Sequence, residues 1–128
     1  MRVGLVVVLF VTSLVGTGEA RSQDVTGYLD GNKLYEFCQP VDGFGVKPFC
    51  QAYITGVIDY VHMSDWALLK SGAQIRRSWC ETYGVTIGQS VDVVIRYLQN
   101  HPEERNQPGA ALVYMAMRTA FPCGGATP

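Results

Sequence analysis

TIGQSVDVVIRYLQNHPEERNQPGAALVYMAMRTAF (residues 86–121) contains two apolar patterns of helical period, separated by prolines. Thr86 and Gln89 form a capping box, in which their side chains satisfy free backbone amides at a helix start. The apolar stripe that follows has the i, i+4, i+7, i+8 spacing of a core-facing helix: Ile87, Val91, Val94, Ile95 and Leu98. Pro102 ends this helix, because the residue before a proline is displaced from the α region.

A second helix follows from Ala110 to Phe121, where nearly every side of the pattern is apolar. Such a helix is expected to be mostly buried, and Pro122 stops it. Between the two patterns, Pro102-Glu103-Glu104 is typical of a fresh helix start, with acids near the positive end of the dipole. The short connection predicts that the two long helices run antiparallel.

Two helices are predicted upstream of this pair. Asn32 is expected to cap a short helix that ends near Cys38. A second helix is expected to run from Phe49 to Trp66 or Leu69 and to lie mostly buried, with Gly56 allowing another helix to approach closely. The chain is therefore predicted to be all-α, a small bundle of about four to five helices with irregular segments at 39–48 and 71–84.

Four cysteines follow the N-terminal segment: Cys38, Cys50, Cys80 and Cys123. No C-x2-C or H-x3-H pair is present to suggest zinc, and no C-x-x-C pair suggests redox chemistry. Of the three connectivities that four cysteines allow, the helix order favours Cys38–Cys50 and Cys80–Cys123, because each pair flanks neighbouring helix ends. We expect no cofactor and no metal.

The N-terminus has the pattern of a cleaved secretory signal at residues 1–20: Arg2, an apolar run, and small residues before the expected cleavage site. A retained N-terminal anchor stays open as an alternative. Residues 21–128 are then long enough for one domain. The formal net charge of −1 gives no sign of nucleic-acid binding or of charge-driven membrane binding after signal cleavage.

Catalytic candidates are few. His62 lies near Asp59 and Ser64, but neighbours on one helix do not readily place a serine and an aspartate on opposite sides of an imidazole. Glu103 and Glu104 are adjacent, so their side chains diverge instead of converging across a cleft. We therefore expect no enzymatic activity, with a small hydrolase as the least favoured alternative.

Two segments are candidates for protein recognition. SGAQIRRSW (residues 71–79) carries Ile75, Arg76, Arg77 and Trp79, and arginine and tryptophan are enriched among interface hot spots. Ile75 and Trp79 have the pattern of exposed interface residues there, but packing of Trp79 beside the Cys80 bridge, with the two arginines solvated, is the slightly favoured interpretation. The second candidate is the loop at 41–47, with Phe44 and Lys47, which a Cys38–Cys50 bridge would stiffen.

The chain as a whole resembles the Rap1a/Tai family of periplasmic immunity proteins. The resemblance lies in the signal sequence, LYEFC, FCQAYITGVID, and the run from CETYGVTIGQSVDVV to AFPC. It implies a small disulfide-bonded helical protein that can form a homodimer. It also implies steric inhibition of a peptidoglycan amidase effector delivered by type VI secretion, in the periplasm. A stand-alone periplasmic protein that binds stressed or unfolded clients is the alternative.

Overall fold

The computed structural model describes residues 28–40 and 48–124 and shows four α-helices. They are α1 (Gly31–Cys38), α2 (Pro48–Lys70), α3 (Ile87–Asn100) and α4 (Gly109–Ala120), with a 3₁₀ turn at Pro102–Glu104 between the last two. The described residues contain no strand, only an isolated bridge between Asp30 and Pro108. The prediction of a small all-α bundle is confirmed, and the expected fresh helix at Pro102 is this single 3₁₀ turn.

The start of α3 follows its sequence pattern. The Gln89 amide donates to Thr86 Oγ1 at 3.2 Å, and the Thr86 amide donates to Gln89 Oε1 at 2.8 Å, which completes the capping box. Val91, Val94 and Leu98 are buried, as the apolar stripe predicts. Ile87, in the first turn of α3, is 53% exposed and lines an open hollow together with Thr55 and Ile58 of α2.

The core combines side chains from all four helices. Its largest fully buried members are Leu34, Ile54, Val94, Leu98, Val113 and Met117, together with the Cys38–Cys50 pair. Burial of such side chains removes apolar area from water and supplies most of the favourable free energy of folding. Half of these side chains belong to α3 and α4, the two helices predicted from the segment at 86–121. The other half belong to α1 and α2, which pack against them.

The first helix begins differently from the prediction. Asp30 is its N-cap, and Asp30 Oδ1 accepts a hydrogen bond from the Lys33 amide at 2.8 Å. Asn32 was the expected cap, but its amide donates to the Arg105 carbonyl at 2.9 Å and lies inside the helix. Hydrogen bonds to the segment before α4 therefore move the helix start two residues toward the N-terminus.

Helix α2 is where the burial prediction is wrong. Only Cys50 and Ile54 are buried, although the helix has 23 residues. Exposed residues occur in both halves of α2, because only one side of the helix packs against the core, through the partly buried Tyr53, Val57, Ile58 and Val61. Gly56 is exposed, and a Cβ added there would meet nothing within 4 Å, so close helix packing does not explain this glycine.

Both disulfide predictions are confirmed. Cys38 is bonded to Cys50, which joins the end of α1 to the start of α2. Cys80 is bonded to Cys123, which joins the segment before α3 to the chain just after α4. The signal sequence at 1–20 and the loop residues Phe44 and Lys47 lie outside the described residues. Within the described ranges, no helix has both the length and the apolar character needed to cross a membrane.

Candidate protein-binding surface

The segment at 71–80 starts with a tight helix termination. Gly72 has φ of 82°, a conformation that glycine adopts without a Cβ penalty. The Gly72 amide donates to the Leu69 carbonyl and the Ala73 amide to the Leu68 carbonyl, each at 3.1 Å, which is the Schellman pattern of a helix C-terminus. The chain then turns back beside α2, so its side chains lie next to the last turns of that helix.

Asp65 anchors the returning chain. Its carboxylate accepts from the Ser78 amide at 2.7 Å and from Ser78 Oγ at 3.0 Å. Two residues later, the Cys80 amide donates to the Phe121 carbonyl at 2.8 Å. These bonds and the Cys80–Cys123 disulfide hold the segment, predicted only as an irregular loop, at a defined place between α2 and α4.

Trp79 belongs to the core, so it is not the exposed interface side chain of the less favoured interpretation. Its side chain is 3% exposed, with the ring centroid 5.4 Å from that of His62 and 5.8 Å from that of Tyr114. The favoured interpretation, in which Trp79 packs beside the Cys80 bridge, is confirmed. Trp79 Nε1 has no hydrogen-bond partner among the described residues. Trp79 thus supports the segment from beneath and presents no surface to a partner.

The two arginines before it remain outside. Arg76 and Arg77 are exposed, and Ile75 is half-buried. Together with Arg118 of α4, the two arginines line a cleft of about 300 Å³, which we call the arginine cleft. The rest of its lining is Ser78, Tyr114, Pro122 and Cys123.

Sequence reasoning missed the contribution of α4 to this cleft. Arg118 and Tyr114 are about 40 residues from Arg77 along the chain, and the helical pattern marks them only as members of a mostly buried helix. The signal that could have located them is the Cys80–Cys123 pairing, because it brings the end of α4 beside residues 76–80.

Exposed apolar side chains continue from the arginine cleft along α2. Tyr60, Met63, Trp66 and Leu69 are spaced three residues apart, and their exposed fractions are 64%, 57%, 61% and 43%. Side chains at this spacing are pairwise neighbours, and the four form a diagonal row that turns by about 180° around the helix from Tyr60 to Leu69. We call this row the α2 apolar face. Arg77 lines both the arginine cleft and an adjacent hollow that contains Trp66 and Leu69, so the two features are continuous.

His62 is paired with an acid instead of a nucleophile. His62 Nε2 lies 3.7 Å from Glu81 Oε2, and the imidazole ring also packs against Trp79. Among the described residues, neither Ser64 nor Asp59 forms a hydrogen bond with this imidazole. Ser64, His62 and Asp59 therefore do not form a set of nucleophile, base and orienting acid.

A second histidine lies among acids at the end of α3. His101, Glu103 and Glu104 place one ligand atom each within 4.8 Å of one another. Their contacts are local: His101 Nδ1 is 3.4 Å from Glu103 Oε1, and Tyr97 Oη donates to Glu104 Oε2 at 2.7 Å. Burial, and next the bond to Glu104, raise the pKa of Tyr97 to about 12. The group fixes the turn between α3 and α4.

Comparison with protein-family models gives a match to the Rap1a immunity proteins over residues 30–123. This region contains all four helices and both disulfides. The chain belongs to the Rap1a immunity protein family. Comparison with the curated proteins and with the solved structures gave no significant match.

Family membership gives this surface its context. Rap1a immunity proteins are inhibitors rather than enzymes, and the family implies immunity to a type VI effector protein. A Rap1a protein therefore acts through the surface that it offers to another protein. The arginine cleft and the α2 apolar face are the candidate surface in the described part of the chain.

Proposed function

We propose that this protein is a periplasmic immunity protein that binds a peptidoglycan amidase effector of a type VI secretion system and blocks its active cleft. The observation that carries the proposal is the Rap1a match, because it spans the whole helical domain. The N-terminal signal pattern and two disulfides support a periplasmic location, since disulfides persist in oxidising compartments.

Steric inhibition is tighter when the inhibiting surface is already ordered before binding. The segment at 75–79 meets this condition, because the Ser78–Asp65 hydrogen bonds and the Cys80–Cys123 bridge fix it on both sides. A preorganised surface loses less conformational entropy on association and so binds more tightly. We place the contact on Ile75, Arg76 and Arg77, with Trp79 as their support, and on the loop that carries Phe44 and Lys47.

The test is an inhibition assay with the mature chain from Arg21. Purified type VI amidase effectors are mixed with peptidoglycan, and the release of cleaved peptides is measured as the protein is added. We expect one effector to lose activity at near-stoichiometric protein, without covalent change to either partner. Retained activity of every effector in the panel, with no complex detected, would reject the amidase proposal.

Location is tested separately in the producing cell. A chain that lacks residues 1–20 should fold less well and fail to protect against an effector delivered to the periplasm, whereas the full chain protects. Equal protection by the truncated chain would contradict a periplasmic site of action. Cell fractionation of both forms shows where each accumulates.

We also propose a homodimer, with the α2 apolar face as the contact between copies. Four exposed apolar side chains in one continuous row are typical of an interface. Sedimentation of the wild type and of Met63→Glu/Trp66→Glu tests this directly. A wild-type monomer at micromolar concentration would reject the dimer without affecting the inhibition assay.

The same α2 apolar face favours the alternative function, binding of unfolded clients. A client-binding protein would suppress aggregation of several unrelated unfolded proteins and would show no preference for one amidase. Suppression of aggregation of reduced α-lactalbumin, lost in Met63→Glu/Trp66→Glu, would support this alternative. Specific inhibition of one amidase by both forms would exclude it.

A further inference from the structure

We infer that the arginine cleft is a docking site for an acidic segment of the partner protein, whose Asp or Glu carboxylates bind Arg76, Arg77 and Arg118. This inference rests on the proposed function, because that function makes the partner an effector that the protein inhibits. It adds the chemical feature by which the partner is recognised. The site is built from two parts of the chain that the Cys80–Cys123 disulfide brings together.

The charge of the cleft carries the inference. Three arginine residues line it, no acidic residue does, and none of the three forms an ion pair with a carboxylate of the described residues. The whole chain has a formal net charge of −1, so the cleft does not reflect a generally basic protein. Uncompensated like charges held close together repel one another, and a bound anion removes this repulsion.

Two acids line the adjacent hollow, and each has contacts elsewhere. Asp65 accepts two hydrogen bonds from Ser78, and Glu81 Oε2 lies 3.7 Å from His62 Nε2. Neither carboxylate forms an ion pair with an arginine of the cleft. The arginines are left available to groups that come from outside.

The type of side chain points to carboxylates. Arginine presents a planar fork of donors that matches a carboxylate in bidentate geometry, and it keeps its charge at every physiological pH. Half-buried Tyr114 adds an aromatic wall and a hydroxyl to the same cleft. Nucleic acid would require a basic face much larger than three arginines, so a short acidic protein segment is the better fit.

The walls of the cleft are held in place. Cys123 Sγ lies 3.8 Å from the Arg77 carbonyl oxygen, and the Ser78 amide is bonded to Asp65. The Cys80–Cys123 disulfide thus holds the backbone near Arg77 beside Cys123, which follows α4 and lies five residues beyond Arg118. Charge-complementary, ordered sites of this kind mainly accelerate association and select the partner.

The test uses amide NMR spectra of the disulfide-intact protein. The probes are an acidic peptide, acetyl-Gly-Asp-Glu-Glu-Asp-Gly-amide, and its neutral analogue with Asn and Gln. We expect the acidic peptide alone to shift the signals of residues 76–78 and 118 at low salt. Arg76→Gln/Arg77→Gln/Arg118→Gln should weaken its binding about tenfold, as expected for three solvent-exposed pairs, while the control Arg96→Gln on α3 leaves it unchanged.

Three results would overturn the inference: no shifts in the cleft, equal shifts with the neutral peptide, or unchanged affinity in the triple variant. Inorganic phosphate that binds the cleft more tightly than the acidic peptide would also overturn it, because the site would then select a small anion. Unchanged circular dichroism of each variant establishes that it is folded. Failure of the effector assay with the wild type would reject the proposed function, whereas binding of the acidic peptide would still show that the arginine cleft recognises acidic segments.

Discussion

At the scale of single residues, the two tryptophans show how differently similar side chains are used. Trp79 is 3% exposed and packs between His62 and Tyr114, whereas Trp66 is 61% exposed on α2. Sequence alone does not separate them, because both lie among apolar and charged neighbours. The difference in burial places Trp79 in the core, where it stabilises the fold, and Trp66 on the surface, where a partner can contact it.

Replacing each tryptophan by alanine should therefore give opposite results. Trp79→Ala removes a core side chain and should lower the free energy of unfolding by about 3–5 kcal/mol. Trp66→Ala should change the free energy of unfolding of the monomer by no more than about 0.5 kcal/mol, so both variants are compared at a concentration where the protein is monomeric. Urea unfolding followed by fluorescence and circular dichroism measures both. Similar losses for the two variants would contradict the burial difference.

Tyr97 gives a pH prediction. Its pKa is raised from 10.0 to about 12, so the folded state holds the phenol proton more tightly than the unfolded state does. The resulting stabilisation is fully present below pH 10 and is lost as the pH rises toward 12. Burial also raises the pKa of Tyr53, so two tyrosines are expected to titrate late. The late signal in tyrosinate absorbance should therefore lose one tyrosine in Tyr97→Phe and keep its full amplitude in the exposed control Tyr83→Phe. An unchanged late amplitude in Tyr97→Phe would refute the assignment.

At the scale of elements, the quality of prediction from sequence depends on what a pattern encodes. The α3 capping box and apolar stripe were predictable because each depends on residues within one helix. The burial of α2 was not predictable, because an apolar pattern shows which side chains could be buried but does not show whether another element packs over them. Arg118 joined the candidate site only through the disulfide, a contact between residues 43 positions apart in sequence.

Gly56 allows a direct test of α2. A Cβ added there meets nothing within 4 Å, so Gly56→Ala should raise the free energy of unfolding by about 0.5–1 kcal/mol through helix propensity. The matched control is Gly31→Ala, whose Cβ would lie 2.9 Å from the Arg105 backbone and should cost about 1–3 kcal/mol through overpacking. Denaturant melts of both variants measure the difference. Destabilisation by Gly56→Ala would indicate a close neighbour on α2.

At the scale of the whole molecule, the two disulfides divide the candidate surfaces between them. Cys38–Cys50 closes the loop that carries Phe44 and Lys47, with a sequence separation of 12. Cys80–Cys123, with a separation of 43, joins the two walls of the arginine cleft. Constraint of the unfolded chain makes each bridge worth about 3–4 kcal/mol, a large share of a small domain's stability.

Removing one bridge at a time should therefore separate stability from recognition. Cys38→Ala/Cys50→Ala and Cys80→Ala/Cys123→Ala should both lower the melting temperature, but only the second should weaken binding of the acidic peptide, because only it frees Arg118 from Arg76 and Arg77. The measurement is peptide affinity at a temperature where circular dichroism shows both variants folded. Equal affinity in the two variants would mean that the arginine cleft does not depend on the disulfide. Loss of effector inhibition in the first variant, with peptide binding intact, would instead assign the inhibitory contact to the loop at 41–47.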